Sequence, residues 1–265
     1  MTGDAAGAKT PAAMTGRRLL TDPIVLLVLA TVAVSAFFLA WPEVDIAASL
    51  LFYEPGTGFV LSANPALIAL RRSSNVAMIT IVAAILASLA AKLSRPQRPS
   101  LIPPRASLFL ISTLALGPGV VVNLILKDHW GRPRPTMVDV FGGSAPYVEV
   151  WRITDYCATN CSFVAGEGSS AIWLTGLALV APKRWRLTTA LVTGVYALLL
   201  SVNRIAFGGH FLSDVLLSWC LTLLLIAVIH RLLFVHTPTT MTDASLDASL
   251  AKAGRALSRS SRNDS

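Results

Sequence analysis

Charged side chains are scarce in this sequence. Asp, Glu, Lys and Arg make up 14% of its 265 residues, whereas soluble domains usually carry about 25%. Apolar residues account for 54%, and the mean hydropathy is +0.64. Because a membrane-spanning helix needs about 20 mostly apolar residues, and several stretches meet that requirement, the composition indicates an integral membrane protein.

Cysteine is also rare, and its spacing excludes the common zinc motifs. The three cysteines are Cys157, Cys161 and Cys220, with no CxxC pair and no Cys/His cluster. Cys220 lies in an apolar run and is expected to pack as a small hydrophobic residue. Cys157 and Cys161 share one polar loop, where they form a local disulfide if the compartment is oxidising and remain free thiols otherwise.

The net charge of +8 does not predict nucleic-acid binding. Lys and Arg flank the apolar stretches, as membrane topology requires. No soluble basic face is left to bind a phosphate backbone.

Six apolar stretches predict an all-α bundle of six transmembrane helices. They cover about residues 24–41, 75–93, 106–126, 168–181, 187–202 and 215–234. Gly117-Pro118-Gly119 predicts a kink or a break in the third helix, and residues 46–53 are amphipathic enough to lie along the membrane interface. The chain then divides into an N-terminal tail (1–22), a six-span domain (23–235) and a disordered C-terminal tail (236–265).

The charges of the loops predict the orientation in the membrane. One side, expected to be cytoplasmic together with both termini, carries most of the basic residues: Arg17, Arg18, Lys92, Arg95, Arg98, Arg105, Lys183, Arg184, Arg186 and Arg231. The opposite side nevertheless carries Arg71, Arg72, Lys127, Arg132, Arg134 and Arg204. Because these cations do not follow the topology rule, we expect them to have a different role.

A phosphate site would give these cations a role. Lys127, Arg134 and Arg204 lie at the ends of two spans, and arginine forks bind two phosphate oxygens at once. His210 and Asp214 are four residues apart, which places them on one face of a helix. There Asp214 can accept the imidazole N–H and make the other ring nitrogen more nucleophilic. A lone His–Asp pair or a lone arginine at the end of a span is usually structural, but their joint presence on one side predicts a histidine nucleophile beside a bound phosphate.

Two of these stretches resemble motifs of the type 2 phosphatidic acid phosphatase superfamily. Lys127-x6-Arg134-Pro135 matches the first motif, and Arg204-x5-His210-x3-Asp214 is similar to the third. Ser162-Phe-Val-Ala-Gly166-Glu167 stands where the family has Ser-Phe-Pro-Ser-Gly-His. The resemblance covers about residues 127–214.

The resemblance implies a role for each matching position. His210 would attack phosphorus and become phosphohistidine, with Asp214 orienting it. The groups that would hold the phosphate oxygens are Lys127, Arg134, Arg204 and the backbone N–H of Gly166. Arg132 and Ser162 are secondary candidates, and no metal or other cofactor is expected.

Two departures from the family pattern concern the second motif. Ala165 replaces the family's serine, so one hydroxyl donor is missing. Glu167 replaces the histidine that protonates the leaving alkoxide, which a glutamate can do only if it enters protonated. His129 is an alternative acid, and an anomeric phosphate would leave with little assistance.

The Ser-Phe-Val-x-Gly-Glu variant, with Asn160-Cys161, is similar to a branch of bacterial lipid A phosphatases. This resemblance predicts removal of a phosphate from lipid A at the outer face of the inner membrane. The pattern around Cys161 favours the 4′ position, and the leaving-group argument favours the 1 position. Undecaprenyl pyrophosphate and phosphatidylglycerol phosphate are alternative substrates. A transporter and a non-catalytic family member are the other classes considered, and no obligate protein partner is inferred.

Overall fold

The computed structural model describes residues 21–263 and is built mainly from helices. They are α1 (Pro23–Ala40), α2 (Glu43–Leu50), α3 (Pro65–Ser94), α4 (Pro104–Leu114), α5 (Gly166–Trp173), α6 (Gly176–Val180), α7 (Arg186–Ala206), α8 (Leu212–His230) and α9 (Asp243–Asn263). A small antiparallel hairpin, β1 (Tyr53–Glu54) and β2 (Gly58–Phe59), follows α2. The predicted all-α class is confirmed.

Local sequence fixes where the long helices begin. The Asp22 side chain accepts the N–H of Ile24 at 2.9 Å, and the following Pro23 occupies the first helical position of α1. Asn64 and Pro65 repeat the arrangement at the start of α3. Both pairs combine a side chain that satisfies a free helix N–H with a residue whose own N–H is not needed.

Five helices are long and apolar enough to cross a membrane. They cover Pro23–Ala40, Pro65–Ser94, Pro104–Lys127, Lys183–Ala206 and Leu212–Val235. The predicted fourth span instead consists of two short helices, α5 and α6, which together run from the Lys127 end of the bundle to the Arg231 end. The predicted count of six spanning helices is therefore not met by single helices in the described part of the chain.

The Gly117-Pro118-Gly119 segment changes the third span without breaking it. Beyond Leu114, α4 continues in wide π-type turns over Ala115–Lys127, with Pro118 inside. The side-chain amide of Asn123 donates to the Pro118 carbonyl at 2.6 Å. The wider turns accommodate the proline ring, and the amide adds a hydrogen bond to the Pro118 carbonyl within the same segment.

One prediction about the flanking segments is wrong, and another stays a prediction. In residues 46–53, α2 turns Ser49 into the protein interior and leaves Leu50 and Leu51 exposed, so their position along the membrane interface stays a prediction. The tail is not disordered over residues 243–263, where α9 packs on the ends of α3 and α4. Most of the predicted N-terminal tail, residues 1–20, lies outside the described residues.

Ion pairs fix α9 to the bundle. The buried Lys92 donates to Asp247 at 2.5 Å, and the Ser100 hydroxyl donates to the same carboxylate at 2.6 Å. Asp243 lies 3.6 Å from Arg105. These contacts join residues about 140 positions apart, so local composition could not predict them.

We expect Asp247→Ala to release α9. The substitution leaves the ammonium of Lys92 buried without its carboxylate, so the contact between α9 and the bundle is strongly destabilised. Hydrogen exchange of residues 243–259 in detergent should become faster than in the wild-type protein. Arg255→Ala, at an exposed position of the same helix, is the control and should leave exchange unchanged. Equal protection in both variants would show that the ion pair does not hold the helix.

Candidate active site

His210 is buried in the loop between α7 and α8, with 1% of its surface exposed. Its Nδ1 lies 2.7 Å from the backbone carbonyl of Ser162. A carbonyl oxygen only accepts hydrogen bonds, so Nδ1 carries the proton and Nε2 is the unprotonated nitrogen. The ring is thus held in the tautomer that a nucleophilic Nε2 requires.

The predicted direct contact between Asp214 and His210 is wrong. His210 precedes the first residue of α8, so the helical spacing argument does not apply to it. Asp214 instead accepts the Ser162 hydroxyl at 2.5 Å and the Phe211 N–H at 2.9 Å. Asp214 therefore acts on the imidazole through Ser162, whose carbonyl accepts from Nδ1, and through the backbone of the residue that follows His210.

Arg132 is fully buried beneath this arrangement. Its guanidinium donates to Asp214 at 2.5 Å and to Asp45 at 2.9 Å. Asp45 also accepts the N–H of Ser213 at 2.8 Å and the Tyr147 hydroxyl at 3.1 Å. Burial alone would lower the pKa of Arg132, but the two carboxylates raise it. The secondary prediction that Arg132 binds phosphate is wrong, because its donors are taken by residues of the protein interior.

The three predicted phosphate-binding cations converge near His210. The pKa of His210 is lowered well below its ordinary value by burial and by Arg204, Lys127 and Arg134. Arg134 donates from Nε and Nη2 to the carbonyl of Asn160, at 3.0 and 2.6 Å. Burial and surrounding cations thus keep the imidazole neutral, as a nucleophile requires.

Two glycines allow the turn after α7 to lie close to Arg204. Gly208 has a φ of 61°, in the left-handed region that favours glycine. A Cβ on Gly209 would collide with the guanidinium of Arg204. The turn between α7 and α8 therefore brings the backbone directly against a predicted phosphate-binding arginine.

A cleft of about 550 Å³ opens at this end of the bundle. Its lining is polar and basic: Ser62, Ile68, Arg71, Arg72, Asn75, Arg134, Thr136, Glu167, Arg204, Phe207, Gly208 and Gly209. Arg71 and Arg72 were not predicted as site residues. Their only sequence signal is a pair of cations on the side opposite the basic loops.

Glu167 lies between two of the arginines of this cleft. One carboxylate oxygen accepts from Nε of Arg71 at 2.8 Å, and the other is paired with Nε of Arg204. One oxygen therefore accepts a hydrogen bond from Arg71, and the other forms an ion pair with Arg204. This arrangement suits an ion-pair partner that holds the two arginines.

Neither the remaining predicted residues nor His210 and Lys127 are among the residues that line the cleft. Gly166 is the first residue of α5, and a Cβ there would lie 3.2 Å from Nζ of Lys127. His129 is exposed, with Nδ1 3.1 Å from the Ile125 carbonyl of its own helical turn, and is not among the residues lining the cleft. Cys157 and Cys161 form a disulfide. Within residues 21–263, no three His, Cys, Asp or Glu side chains group as metal ligands would.

The sequence matches a known family. The PAP2 superfamily profile matches residues 106–238, half of the chain and all of the motifs discussed above. The chain belongs to the PAP2 superfamily. The resemblance inferred from the motifs is thereby confirmed.

Proteins with similar sequences are named lipid A 4′-phosphatase. A protein named lipid A 4′-phosphatase from Rhizobium leguminosarum is 43% identical over 119 residues, covering 45% of this chain and 51% of that protein. A protein of the same name from Francisella tularensis subsp. novicida is 37% identical over 131 residues, covering 49% and 59%. The chain thus spans about half the length of the curated relatives it matches.

A solved PAP2 structure shares the fold. The crystal structure of the transmembrane PAP2 type phosphatidylglycerolphosphate phosphatase from Bacillus subtilis aligns with a TM-score of 0.52 and 20% identity. The alignment covers 78% of this chain and 94% of that one. With five apolar helices of spanning length, the PAP2 chain is a multi-pass membrane protein.

We expect the buried network around Arg132 to stabilise the PAP2 domain. Asp45→Ala removes one of its two carboxylates, and breaking a buried ion pair in this way typically costs about 3–5 kcal/mol. Thermal unfolding in detergent should show a clearly lower midpoint. Glu43→Ala removes the same charge from an exposed position of the same helix and should shift the midpoint little. Similar midpoints in both variants would contradict the stabilising role.

Proposed function

We propose that this chain is a membrane lipid phosphatase that removes the 4′-phosphate of lipid A through a phosphohistidine at His210. In the first step, Nε2 bonds to phosphorus as the bond between phosphorus and the sugar oxygen breaks, and the leaving oxygen takes a proton from a water molecule in the open cleft. Water then hydrolyses the P–N bond, which releases inorganic phosphate and restores the imidazole. Lys127, Arg134 and Arg204 would stabilise the charge on the phosphoryl oxygens.

The observation that carries the proposal is the environment of His210. The Ser162 carbonyl holds Nδ1–H, so Nε2 is the nitrogen left to react. Lys127, Arg134 and Arg204 are close enough to lower the pKa of this histidine. A buried neutral imidazole among cations suits attack on a phosphate dianion, whose charge the cations would offset.

The choice of lipid A rests on similarity. The relatives named lipid A 4′-phosphatase match this chain at 37–43% identity, over about half of their length. They also favour the 4′ position over the 1 position, the two alternatives that the motifs left open.

The proposed orientation places the active site in the periplasm of a bacterial inner membrane, with both termini in the cytoplasm. The loops at the end of the bundle opposite His210 carry most of the basic residues, as expected for cytoplasmic loops. The disulfide between Cys157 and Cys161 lies on the His210 side, and an oxidising compartment favours such a bond.

We expect His210→Ala to abolish phosphate release. Loss of a covalent nucleophile lowers the rate by more than about 10⁴-fold. The assay uses the purified chain in detergent with lipid A labelled at its 4′-phosphate. The wild-type protein, quenched in alkali, should carry labelled phosphate on His210. Undecaprenyl pyrophosphate and phosphatidylglycerol phosphate serve as competing substrates.

His129→Ala is the matched control, because His129 is exposed and its Nδ1 lies 3.1 Å from the Ile125 carbonyl of its own helical turn, whereas His210 is buried. It should retain phosphate release and labelling. If phosphate is released from a competing lipid but not from lipid A, the proposed substrate is wrong. If phosphate is released from none of these lipids, the result would point to a non-catalytic member of the family.

We expect Glu167→Gln to retain activity within about tenfold, whereas loss of a general acid costs about 10²–10⁴. Glutamine keeps an oxygen that accepts from Arg71 or Arg204 but cannot supply a carboxylic proton. The measurement is kcat for lipid A with each protein. A loss in the larger range would restore Glu167 as the acid implied by the family pattern.

A further inference from the structure

The cleft contains more positive charge than one phosphate requires. Four arginines and one glutamate line it. A phosphate monoester is close to a dianion at neutral pH, so together with Glu167 it offsets three of the four arginines. Lys127, which would also bind the phosphate, adds a further cation, so positive charge is in excess.

Arg72 is the arginine of the cleft that has no partner among the described residues. Arg71 and Arg204 pair with Glu167, and Arg134 donates to the Asn160 carbonyl. Within the described part of the chain, the guanidinium of Arg72 has neither a hydrogen bond nor an ion pair, and the residue is exposed. Its donors are therefore free to bind a ligand.

Arg72 also lies where the cleft meets an apolar groove. The groove has a volume of about 880 Å³, runs along α3, and shares Ile68 and Arg72 with the cleft. Its other lining residues are mostly small or apolar: Pro65, Ala69, Ser73, Val76, Ala77 and Tyr196. A lipid whose head occupies the cleft would pass Arg72 on the way to its acyl chains.

Asn75 lines the same cleft, three residues after Arg72 in α3. Residues at this spacing are neighbours on a helix surface. The side-chain amide of Asn75 can thus donate to a group bound by the guanidinium. Together the two side chains offer the fork and the additional donor that suit phosphate oxygens.

We propose that Arg72 and Asn75 form a second anion subsite, which binds a second phosphate group of the same lipid while the first lies at His210. This inference rests on the proposed function, since it assumes a lipid phosphate at His210. The subsite would make the enzyme selective for lipids with two phosphates. The alternative is that Arg72 only extends to the head groups of the surrounding membrane.

The test compares lipid A carrying both phosphates with lipid A carrying only the 4′-phosphate. We expect Arg72→Gln to lower kcat/KM for the bisphosphorylated lipid by on the order of tenfold, as expected for a lost charge-assisted hydrogen bond. The monophosphorylated lipid should be hydrolysed at an unchanged rate, and Arg72→Lys should recover part of the selectivity. Arg152→Gln removes the same charge from an exposed site at the same end of the bundle, outside the cleft, and should change neither lipid.

Equal losses on both lipids, or no loss on either, would overturn the subsite. Binding of the two lipids to His210→Ala, with and without Arg72→Gln, separates this inference from the proposed function. If the wild-type protein releases no phosphate, the proposed function fails. Tighter binding of the bisphosphorylated lipid that depends on Arg72 would still establish the subsite, and its absence would refute it.

Discussion

The guanidinium of Arg132 lies between the carboxylates of Asp45 and Asp214, with none of the three side chains exposed. Each of these ions would be costly to bury alone, and together they satisfy one another through short hydrogen bonds. The pairing joins α2, the loop after the third span and the start of α8. These segments are far apart in sequence. Because the network holds them together, it sets the position of the loop that carries His210.

The network is connected to the imidazole of His210 by three successive hydrogen bonds. Arg132 holds Asp214, and Asp214 accepts the hydroxyl of Ser162. The carbonyl of Ser162 then accepts from Nδ1 of His210. A buried hydrogen-bond chain of this kind fixes the tautomer without placing a carboxylate beside the nucleophile. The field that His210 meets is therefore set by the cations of the cleft.

The sequence predicted what depends on composition and on spacing within a motif. Hydropathy located the long spans, and the presence of cations on the side opposite the basic loops predicted Lys127, Arg134 and Arg204 as site residues. Contacts between distant segments were missed, as with Asp45, whose partner Arg132 is 87 residues away. The prediction of a direct contact between Asp214 and His210 was wrong for a local reason, since the sequence did not show that α8 begins after residue 210. The helix at residues 243–263 was missed although Leu246 and Leu250 recur at helical spacing, because the serines around them are also typical of disordered tails.

Glu167 and Arg71 are best understood as a pair. The family pattern has a histidine at position 167, and a glutamate there brings a negative charge next to the predicted phosphate-binding Arg204. Alone, that carboxylate would offset Arg204 and weaken its attraction for a phosphate. Arg71, reaching from α3 to the other carboxylate oxygen at 2.8 Å, supplies a compensating cation. The positive charge available to a phosphate is thus maintained. The replacement of the family's histidine by Glu167 is coupled through Arg71 to α3, the helix that also places Arg72 in the cleft.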